Sequence, residues 1–405
     1  MAPTRSTTIN ELIQALVYAA DTVEDVMIFH GWRVAVFGDW LTRAIAPQRR
    51  QEIFQACMVH DIGGVGLPNH ILHYHMPREA ALRREVIAHP LKGATLVSGI
   101  PGLFESAKLV MDHHERYDGS GYPRRKRGDE IPAGAQLIGL ADELDTALHQ
   151  KKIRSRKDIG LFINDRLSGK FAPLLLRTAR SVWKERPLPG EIPVEQWIYT
   201  YYYEVVGEIG PLQVEGPGDA LTTTLEVFAD IIDAKHPSTL GHSRRVARYS
   251  VMIGLAMDLS AEEVTSLKWA SLLHDIGKLS IPGRVLDKPT LLTEKEYTSM
   301  KRHVEFTRAI LGRISGFEEI SRVAYGHHER WDGTGYPQGL AGEEIPLLAR
   351  VLAVSDTFDA MTSGRIYRTG RSSEEACAEL KRCAGVHFDR RVIEAAVPVL
   401  SHLVE

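Results

Sequence analysis

Histidines and aspartates that could bind metal ions occur as two sets with the same order and almost the same spacing. The first member of the second set follows its counterpart at a distance of 212 residues, and the others follow at 214. The first set is His30, His60, Asp61, His89, His113, His114 and Asp142. The second set is His242, His274, Asp275, His303, His327, His328 and Asp356. Imidazoles and carboxylates without a thiolate suit Fe, Mn, Co, Ni or Zn, so each set predicts a metal centre.

Each set has seven members, which is more than one cation needs but suits two cations that share a bridging carboxylate. Water between two such cations is deprotonated near neutral pH and can attack phosphorus, while the cations polarise the phosphate oxygens. A single buried histidine is more often a hydrogen-bonded core residue than a ligand. Because the whole set recurs in register, we predict two metal ions per site and a phosphoester substrate.

The elements that must position these side chains are themselves repeated. The segment HHERYDGSGYP at 113–123 returns as HHERWDGTGYP at 327–337, and HDIGGVGLP at 60–68 returns as HDIGKLSIP at 274–282. Self-similarity at one fixed offset indicates a duplicated structural unit. We therefore predict that two related copies fill nearly the whole chain.

The boundary between the copies is marked by clusters of proline and glycine, which interrupt regular structure. We predict an N-terminal domain at 1–186, an interdomain connector at 187–218 and a C-terminal domain at 219–405. The middle of the connector, with Trp197 and several tyrosines, is too aromatic for a free linker. We expect it to pack between the halves.

The periodicity of both copies is helical. From 12 to 41, apolar residues recur every three or four positions, as on one helix face. The apolar segments that end at His60 and His274 read as helices stopped by the glycine of DIG. Two later apolar helices carry Asp142 and Asp356. Alternating strand-like runs are few, so the predicted fold class is all-α, with two helical domains in a pseudo-repeat.

Composition narrows the class of protein further. The chain has 405 residues, 44% of them hydrophobic and 25% charged, as in globular proteins. We find no run of about 20 apolar residues, and therefore expect no membrane span. The beginning of the chain lacks the apolar core of a secretion signal. The three cysteines form no CxxC pair, which fits a reducing cytoplasm. A net charge of −3 gives no case for binding DNA.

The order HDIGK, HHERWDGTGYP and SDTFDAMTSGRIYR resembles the HD-GYP family, a branch of the HD phosphohydrolase superfamily. The resemblance covers the second copy over its full length, and the first copy repeats it. It implies a bacterial phosphodiesterase that opens cyclic di-GMP or 3′,3′-cyclic GMP–AMP to the linear dinucleotide and onward to mononucleotides. The resemblance also allows a diguanylate cyclase or another signalling protein as a partner. It allows a homodimer as well.

The resemblance assigns roles to residues of the second copy. One metal ion would be held by His242, His274, Asp275 and Asp356. The other would be held by His303, His327 and His328, with Asp275 bridging the two. Asp275 and Lys278 would be catalytic, and the substrate would be bound by Lys278, Tyr336, Arg365 and Arg368. Asp359, three residues after Asp356, is expected to support a ligand histidine.

The cofactors implied are two divalent ions per site, with Fe or Mn favoured and Zn, Ni or Co also open. Some family members bind a third ion through a glutamate four residues before the first histidine. That position holds Val26 in the first copy and Ser238 in the second, so two ions are expected.

The first copy departs from the family at one position, where Gly64 stands in place of Lys278. A charge-assisted contact contributes about 1.5–3 kcal/mol, so its loss weakens phosphate binding roughly ten- to hundredfold. Lys151 and Arg154 match Arg365 and Arg368, and the basic runs 124–127 and 151–157 could supply other charges. The first copy is then a weaker catalytic site, a site for another nucleotide, or a metal-loaded regulatory domain. We rank regulatory or weakly active first.

Two other functions for the whole protein stay open at this point. One is a different HD-type phosphohydrolase that acts on a nucleotide monophosphate or a stringent-response nucleotide. The other is a protein that senses a cyclic dinucleotide without hydrolysing it. A substrate panel separates the first from a cyclic dinucleotide phosphodiesterase, and binding without turnover would identify the second.

Overall fold

The computed structural model describes residues 5–21, 28–67, 77–212, 214, 219–236, 239–363 and 370–403. By its internal contacts the chain divides into two compact units, Thr4–Thr223 and Thr224–Glu405. The part of the chain that is described forms helices and turns, with isolated β-bridges and no β-strand. The predicted all-α fold class is confirmed. No helix within these ranges is both long and apolar enough to cross a membrane.

The first unit is built from helices that run one after another along the chain. They are α1 (Arg5–Asp21), α2 (His30–Ile45), α3 (Arg50–Val59), α4 (Ala80–Ser98), α5 (Phe104–Val110), α6 (Ala133–His149), α7 (Arg156–Phe162), α8 (Pro173–Glu185), α9 (Val194–Trp197) and α10 (Tyr203–Ile209). Short 3-10 turns lie at Pro47–Arg49, Ile62–Gly64 and Gly128–Glu130, and π-helical turns at Ile163–Leu167 and Ile198–Tyr202. Helix α2 is buried almost throughout and packs against α3, α6 and α8.

The second unit repeats this order. Its helices are α11 (Ala220–Ala234), α12 (His242–Ala256), α13 (Ala261–Leu273), α14 (Gly283–Leu286), α15 (Glu294–Lys301), α16 (His303–Leu311), α17 (Glu318–Tyr325), α18 (Leu347–Thr362), α19 (Ser373–Arg382) and α20 (Arg390–Leu400). The 3-10 turns are Ile276–Ser280 and Gly342–Glu344. Helix α12 packs against α13, α18 and α20, as α2 packs against α3, α6 and α8 in the first unit.

The predicted helices are present, with boundaries that explain the motifs. The apolar stripe at 12–41 lies on α1 and α2, and residues 22–27 between them are outside the described ranges. Helices α3 and α13 end one residue before His60 and His274, so each HD pair opens the turn that follows its helix. The sequence of the second copy also predicts a helix break at Pro237, which lies outside the described ranges.

The start of α13 is fixed by its own sequence. Ser260 accepts a hydrogen bond from the Glu263 backbone N–H at 3.3 Å, and the Glu263 carboxylate accepts one from the Ser260 backbone N–H at 2.9 Å. This reciprocal capping box satisfies backbone donors that a helix start leaves without partners. The register of α13, and with it the position of the HD turn at its other end, is set locally.

The HD turn of the second unit rests directly on α16. Thr307 donates its hydroxyl to the His274 carbonyl at 3.0 Å and accepts the Gly277 backbone N–H at 3.0 Å. A Cβ on Gly277 would lie 1.9 Å from the His303 carbonyl oxygen and 2.6 Å from the Thr307 nitrogen. Glycine is therefore required for this backbone contact, which holds His274 beside His303.

We expect Gly277→Ala to destabilise the second unit by about 3 kcal/mol, because the obstructing atoms are backbone and cannot rotate away. Chemical denaturation followed by circular dichroism would measure this. Gly283→Ala is the matched control, since its Cβ would meet only the Asp287 carboxylate, at an ordinary 3.6 Å. Equal stability of the two variants would contradict the expectation.

The aromatic residues of the connector pack on the first unit. The rings of Trp32 and Tyr202 stack with centroids 4.3 Å apart, and Trp197 meets Trp40 at 5.7 Å. Trp197 and Tyr202 are fully buried. The segment is therefore not a free linker, since its large side chains contribute to the core of the Thr4–Thr223 unit, and its packing between the halves stays a prediction.

Candidate metal centres

In the first unit, the two oxygens of one carboxylate face two different groups of imidazoles. Asp61 Oδ2 lies 3.2 Å from His60 Nε2 and 3.8 Å from His30 Nε2. Asp61 Oδ1 lies 3.3 Å from His89 Nε2 and 3.5 Å from His113 Nε2. Each oxygen of Asp61 is therefore close to a separate group of imidazole nitrogens that could bind a cation.

All seven residues predicted for the first copy come together. The ligand atoms of His30, His60 and Asp142 lie within 4.8 Å of one another. The same limit holds for a second group made of Asp61, His89, His113 and His114. These side chains come from α2, α4, α6 and the ends of α3 and α5, so only the folded unit joins them.

The second unit repeats this geometry around Asp275. Its Oδ2 lies 3.2 Å from His274 Nε2 and 3.8 Å from His242 Nε2, and its Oδ1 lies 3.5 Å from His303 Nε2. Ligand atoms within 4.8 Å of one another form three overlapping groups: His242, His274 and Asp356; His274, Asp275 and His327; and His303, His327 and His328. The seven residues predicted for the second copy are thus also brought together.

Hydrogen bonds orient the histidines of both centres. In six of them Nδ1 lies 2.6–2.8 Å from the backbone carbonyl three residues earlier; these are His60, His89, His113, His274, His303 and His327. A carbonyl can only accept, so Nδ1 carries the proton and Nε2 keeps its lone pair for a cation. The buried Nε2 atoms of His303 and His327 have no hydrogen-bond partner within the described ranges.

The first histidine of each centre is held differently, by a carboxylate. His242 Nδ1 lies 2.7 Å from Asp359 Oδ2, and Arg245 contacts both oxygens of Asp359, at 2.7 and 3.1 Å. His30 Nδ1 lies 2.8 Å from Asp145 Oδ2. Arg33 donates hydrogen bonds to both carboxylate oxygens of Asp145, as Arg245 does to those of Asp359. The position expected for Asp359 agrees with this geometry.

Sequence reasoning missed Asp145 and the two arginines. Asp145 precedes Asp359 by the same 214 residues that separate the ligand sets, and Arg33 precedes Arg245 by 212. The fixed spacing of the repeat could therefore have identified these three residues.

The electrostatic environment separates His242 and His274, whose pKa values are raised, from the other three histidines of the second centre, whose pKa values are lowered. Burial lowers the pKa of His328 to about 3, with His303 adding to the shift, and burial lowers the pKa of His303 and His327 as well. Burial also acts against a charged His242, but hydrogen bonds to Asp356 and Asp359 outweigh it and raise its pKa to about 10. The other three are neutral and ready to bind a cation, whereas a cation at His242 competes with a proton.

The adjacent histidines serve one site because a helix ends before them. Helix α17 ends at Tyr325, and the rings of His327 and His328 lie 3.9 Å apart in the turn that follows. The Tyr336 ring of the GYP segment packs on His328 at a centroid distance of 4.8 Å. Tyr122 packs on His114 at the same distance in the first unit.

The glutamate of each HHE motif is a missed functional residue with a clear role. Glu329 accepts the backbone N–H groups of Gln338, at 2.7 Å, and Leu340, at 3.1 Å. Glu115 accepts the corresponding N–H groups in the first unit. These carboxylates fix the chain just after GYP, and so hold the tyrosine against the adjacent histidine.

The residues predicted to bind phosphate differ in where they lie. The Lys278 ammonium pairs with Asp275 Oδ2, so it sits within the second centre. Gly64 leaves the first centre without that charge. Arg365 and Arg368 lie outside the described ranges. Lys151 and Arg154 line a cavity of about 520 Å³ together with Asp145 and connector residues 188–191.

Half of one of the two basic runs is held by ion pairs to a buried carboxylate. Within the run 124–127, Arg124 Nε lies 2.9 Å from Asp112 Oδ1, and Lys126 Nζ lies 2.8 Å from Asp112 Oδ2. Asp112 is almost completely buried and needs these partners. We conclude that Arg124 and Lys126, two of the four basic residues of this run, balance a buried carboxylate.

The donor chemistry of both centres fits divalent metal ions. Imidazole nitrogens and carboxylate oxygens converge without a thiolate, and hydrogen bonds on the far side of the rings leave Nε2 facing inward. The fold and these clusters together define a helical protein whose HD motif lies at the centre of a metal-binding site.

Comparisons with known proteins agree with this fold and with this kind of site. The HD domain family matches residues 41–160 and 226–392, which is more than half of the chain. The protein therefore belongs to the HD domain family. The resemblance to the HD-GYP branch, predicted from the order of the motifs, is confirmed by this match and by similar proteins of Vibrio cholerae.

Two kinds of relative are similar to this chain. The 3′3′-cGAMP-specific phosphodiesterase 3 of Vibrio cholerae is 33% identical over 291 residues, covering 71% of this chain and 62% of that protein. The cyclic di-GMP phosphodiesterase of Thermotoga maritima is 39% identical over 179 residues, covering 44% of this chain and 49% of that protein. The chain thus spans less than two thirds of each of these relatives.

Two longer matches cover both copies. The 3′3′-cGAMP-specific phosphodiesterase 1 of Vibrio cholerae is 29% identical and covers 88% of this chain and 83% of that protein. A solved structure of a cyclic GMP–AMP-specific phosphodiesterase of Vibrio cholerae covers 98% of each chain with a TM-score of 0.63 and 24% identity. That structural likeness shows that the fold of the whole chain is shared.

Proposed function

We propose that this protein is a metal-dependent phosphodiesterase that hydrolyses a cyclic dinucleotide, cyclic di-GMP or 3′,3′-cyclic GMP–AMP, to the linear dinucleotide. The single observation that carries the proposal is the second centre, where the oxygens of Asp275 face two groups of histidines. The names of the relatives support the substrate class, since they include phosphodiesterases for both nucleotides.

The proposed cofactors are two divalent ions in each unit, with Fe or Mn favoured. One would be held by His242, His274 and Asp356, the other by His303, His327 and His328, with Asp275 between them. Such ions lower the pKa of coordinated water and polarise phosphate oxygens, which is the chemistry that phosphodiester hydrolysis needs. The convergent Nε2 atoms support this assignment.

The chain's own residues have separate tasks in this proposal. Asp275 keeps both groups of ligands in register, and Lys278, paired with it, supplies positive charge next to the reacting phosphate. Tyr336, held on His328 by the segment that Glu329 fixes, forms one wall of the substrate site. Arg365 and Arg368 keep the phosphate-binding role that the family resemblance implies for them.

The first unit is proposed to be weakly active or regulatory. Its seven ligands converge as in the second unit, which supports metal binding. Gly64 removes the cation that Lys278 provides, which supports a lower affinity for phosphate. The domain bounds 1–186, 187–218 and 219–405 are likewise our proposal. The division into compact units falls at Thr223 and Thr224, close to the proposed start of the C-terminal domain at 219, with residues 187–218 included in the first unit.

Steady-state kinetics of the metal-loaded protein on cyclic di-GMP and cyclic GMP–AMP test the proposed function, with a stringent-response nucleotide and a nucleotide monophosphate as comparison substrates. We expect turnover of at least one cyclic dinucleotide and none of the comparison substrates. Turnover of a comparison substrate alone would favour another HD-type phosphohydrolase. Tight binding of a cyclic dinucleotide without turnover would favour a sensor.

We expect Asp359→Asn to lower the metal affinity of the second unit by roughly 10- to 100-fold, because hydrogen-bonded partners of ligand histidines have effects of that size. The amide can present its NH₂ group to His242 Nδ1 and loses the charge that Arg245 balances. Metal titration of the apoprotein measures the change. Asp258→Asn, at an exposed turn, is the isosteric control. Equal affinities would contradict a supporting role for Asp359.

A further inference from the structure

Beyond the predicted ligands, a short row of side chains extends outward from the second centre. Tyr297 and Lys301 lie four residues apart on α15, so they share one face of the helix. Lys301 Nζ lies 5.2 Å from the centre of the Tyr297 ring and 5.8 Å from the centre of the Tyr336 ring. Tyr336 in turn packs on His328, 4.8 Å away. The row therefore joins the ligand histidine to the protein surface.

The outer members of this row are available to a ligand. The Tyr297 side chain is exposed, with 51% of its surface accessible, although an aromatic ring of this size gains by being covered. Lys301 forms no ion pair with any carboxylate in the described ranges, whereas Lys278 is paired with Asp275. Positive charge and an aromatic face thus stand next to the centre, in contact with each other and with Tyr336.

A cyclic dinucleotide has two phosphodiester groups and two bases, and only one phosphodiester can be at the metal ligands at a time. The rest of the molecule needs a cation for the second phosphate and a surface for a base. Nucleic-acid-binding proteins stack bases on aromatic side chains and neutralise phosphates with lysine or arginine. Tyr297 and Lys301 offer these two features side by side.

We propose that Tyr297 and Lys301 form a substrate subsite of the second unit, in which the tyrosine ring stacks on one base and the lysine contacts the phosphate that is not being cleaved. This inference rests on the proposed function and names further residues of the same site. Neither residue is expected to touch the reacting phosphorus. They bind substrate and do not take part in the chemical step.

The first unit lacks this subsite. At the common offset of 214, Arg83 stands in the place of Tyr297 and Ile87 in the place of Lys301. The aromatic face and the neighbouring ammonium are therefore both absent there, although all seven metal ligands are kept. The subsite and Lys278 together set the second unit apart as the one that binds the cyclic dinucleotide.

The test uses Tyr297→Ala and Lys301→Met in the metal-loaded full chain. We expect each to raise KM for the cyclic dinucleotide about tenfold, in the range seen when base-stacking residues are truncated, with kcat within about twofold. We also expect each to weaken equilibrium binding of a phosphorothioate cyclic di-GMP or cyclic GMP–AMP analogue by the same factor. Metal content and the melting temperature should stay at the wild-type values.

Two matched variants serve as controls. Tyr297→Phe keeps the aromatic face and should bind the analogue as wild type does. Lys295→Met removes a charge from an exposed position on another side of α15 and should leave KM unchanged. These controls separate stacking and local charge from general effects on the helix.

The outcomes distinguish this inference from the proposed function. If the wild-type protein turns over neither cyclic dinucleotide, the proposed function fails; the subsite is still supported if analogue binding weakens in the two variants. If the wild type is active and both variants keep its KM and its affinity for the analogue, the subsite is overturned. A lower melting temperature with unchanged KM also overturns it, because Tyr297 and Lys301 would then only stabilise α15.

Discussion

Asp275→Ala is expected to lower kcat/KM for the cyclic dinucleotide by at least about 10³-fold, because metal ions at such sites contribute several kcal/mol of transition-state stabilisation. Asp275 is the carboxylate whose two oxygens face both groups of histidines, and it also pairs with Lys278. Its removal leaves both groups without their shared ligand. Steady-state kinetics on both cyclic dinucleotides measure the loss.

Asp61→Ala is the matched control, since Asp61 has the same surroundings in the first unit apart from the lysine. We expect this variant to lose less than about tenfold in activity. The first unit already lacks a charge-assisted phosphate contact worth about 1.5–3 kcal/mol, so it contributes little to the total. Circular dichroism must show that both variants are folded. Equal losses in the two variants would contradict our ranking of the units, and an active Asp275→Ala would contradict the role of the second centre.

The second large effect is expected from removal of metal. Dialysis against a chelator should abolish hydrolysis, and readdition of Fe(II) or Mn(II) should restore it. Elemental analysis of the fully loaded chain should give about four ions, two for each unit, as expected for sites that hold a pair of metals. The apoprotein should also melt at a lower temperature, because a ligand at 1,000 times its Kd stabilises the folded state by about 4 kcal/mol.

The same aspartate variants serve as controls for the metal content. Asp61→Ala and Asp275→Ala should each lose ions from one unit only, because the two ligand sets share no residue. Full activity after complete removal of metal would refute the proposed chemistry. An ion content of about two in the wild type, unchanged in Asp61→Ala, would show that the first unit does not bind metal.

The residue order by itself predicted the fold class and the candidate metal ligands that the structure brings together. Helical periodicity is a local property of the sequence. The spacing of apolar residues therefore predicted α2, α3, α6 and their counterparts in the second unit close to their positions in the structure. The duplication did more, because a chance histidine is not repeated in register at a fixed offset. It selected fourteen side chains, and the structure brings all of them into two clusters. It also identified Gly64, at the position of Lys278, as the one clear departure of the first copy from the family.

Contacts between distant parts of the chain were decided only by the tertiary structure. The sequence predicted that Asp359 supports a ligand histidine, but only the structure shows that this histidine is His242, 117 residues away, and that Glu329 fixes a segment nine to eleven residues further on. Lys301 lies against Tyr336 although 35 positions separate them. Such pairs leave no periodic trace, because they depend on how helices cross and on where loops return. Spacing along the chain sets which face a side chain occupies, but packing sets what that face meets.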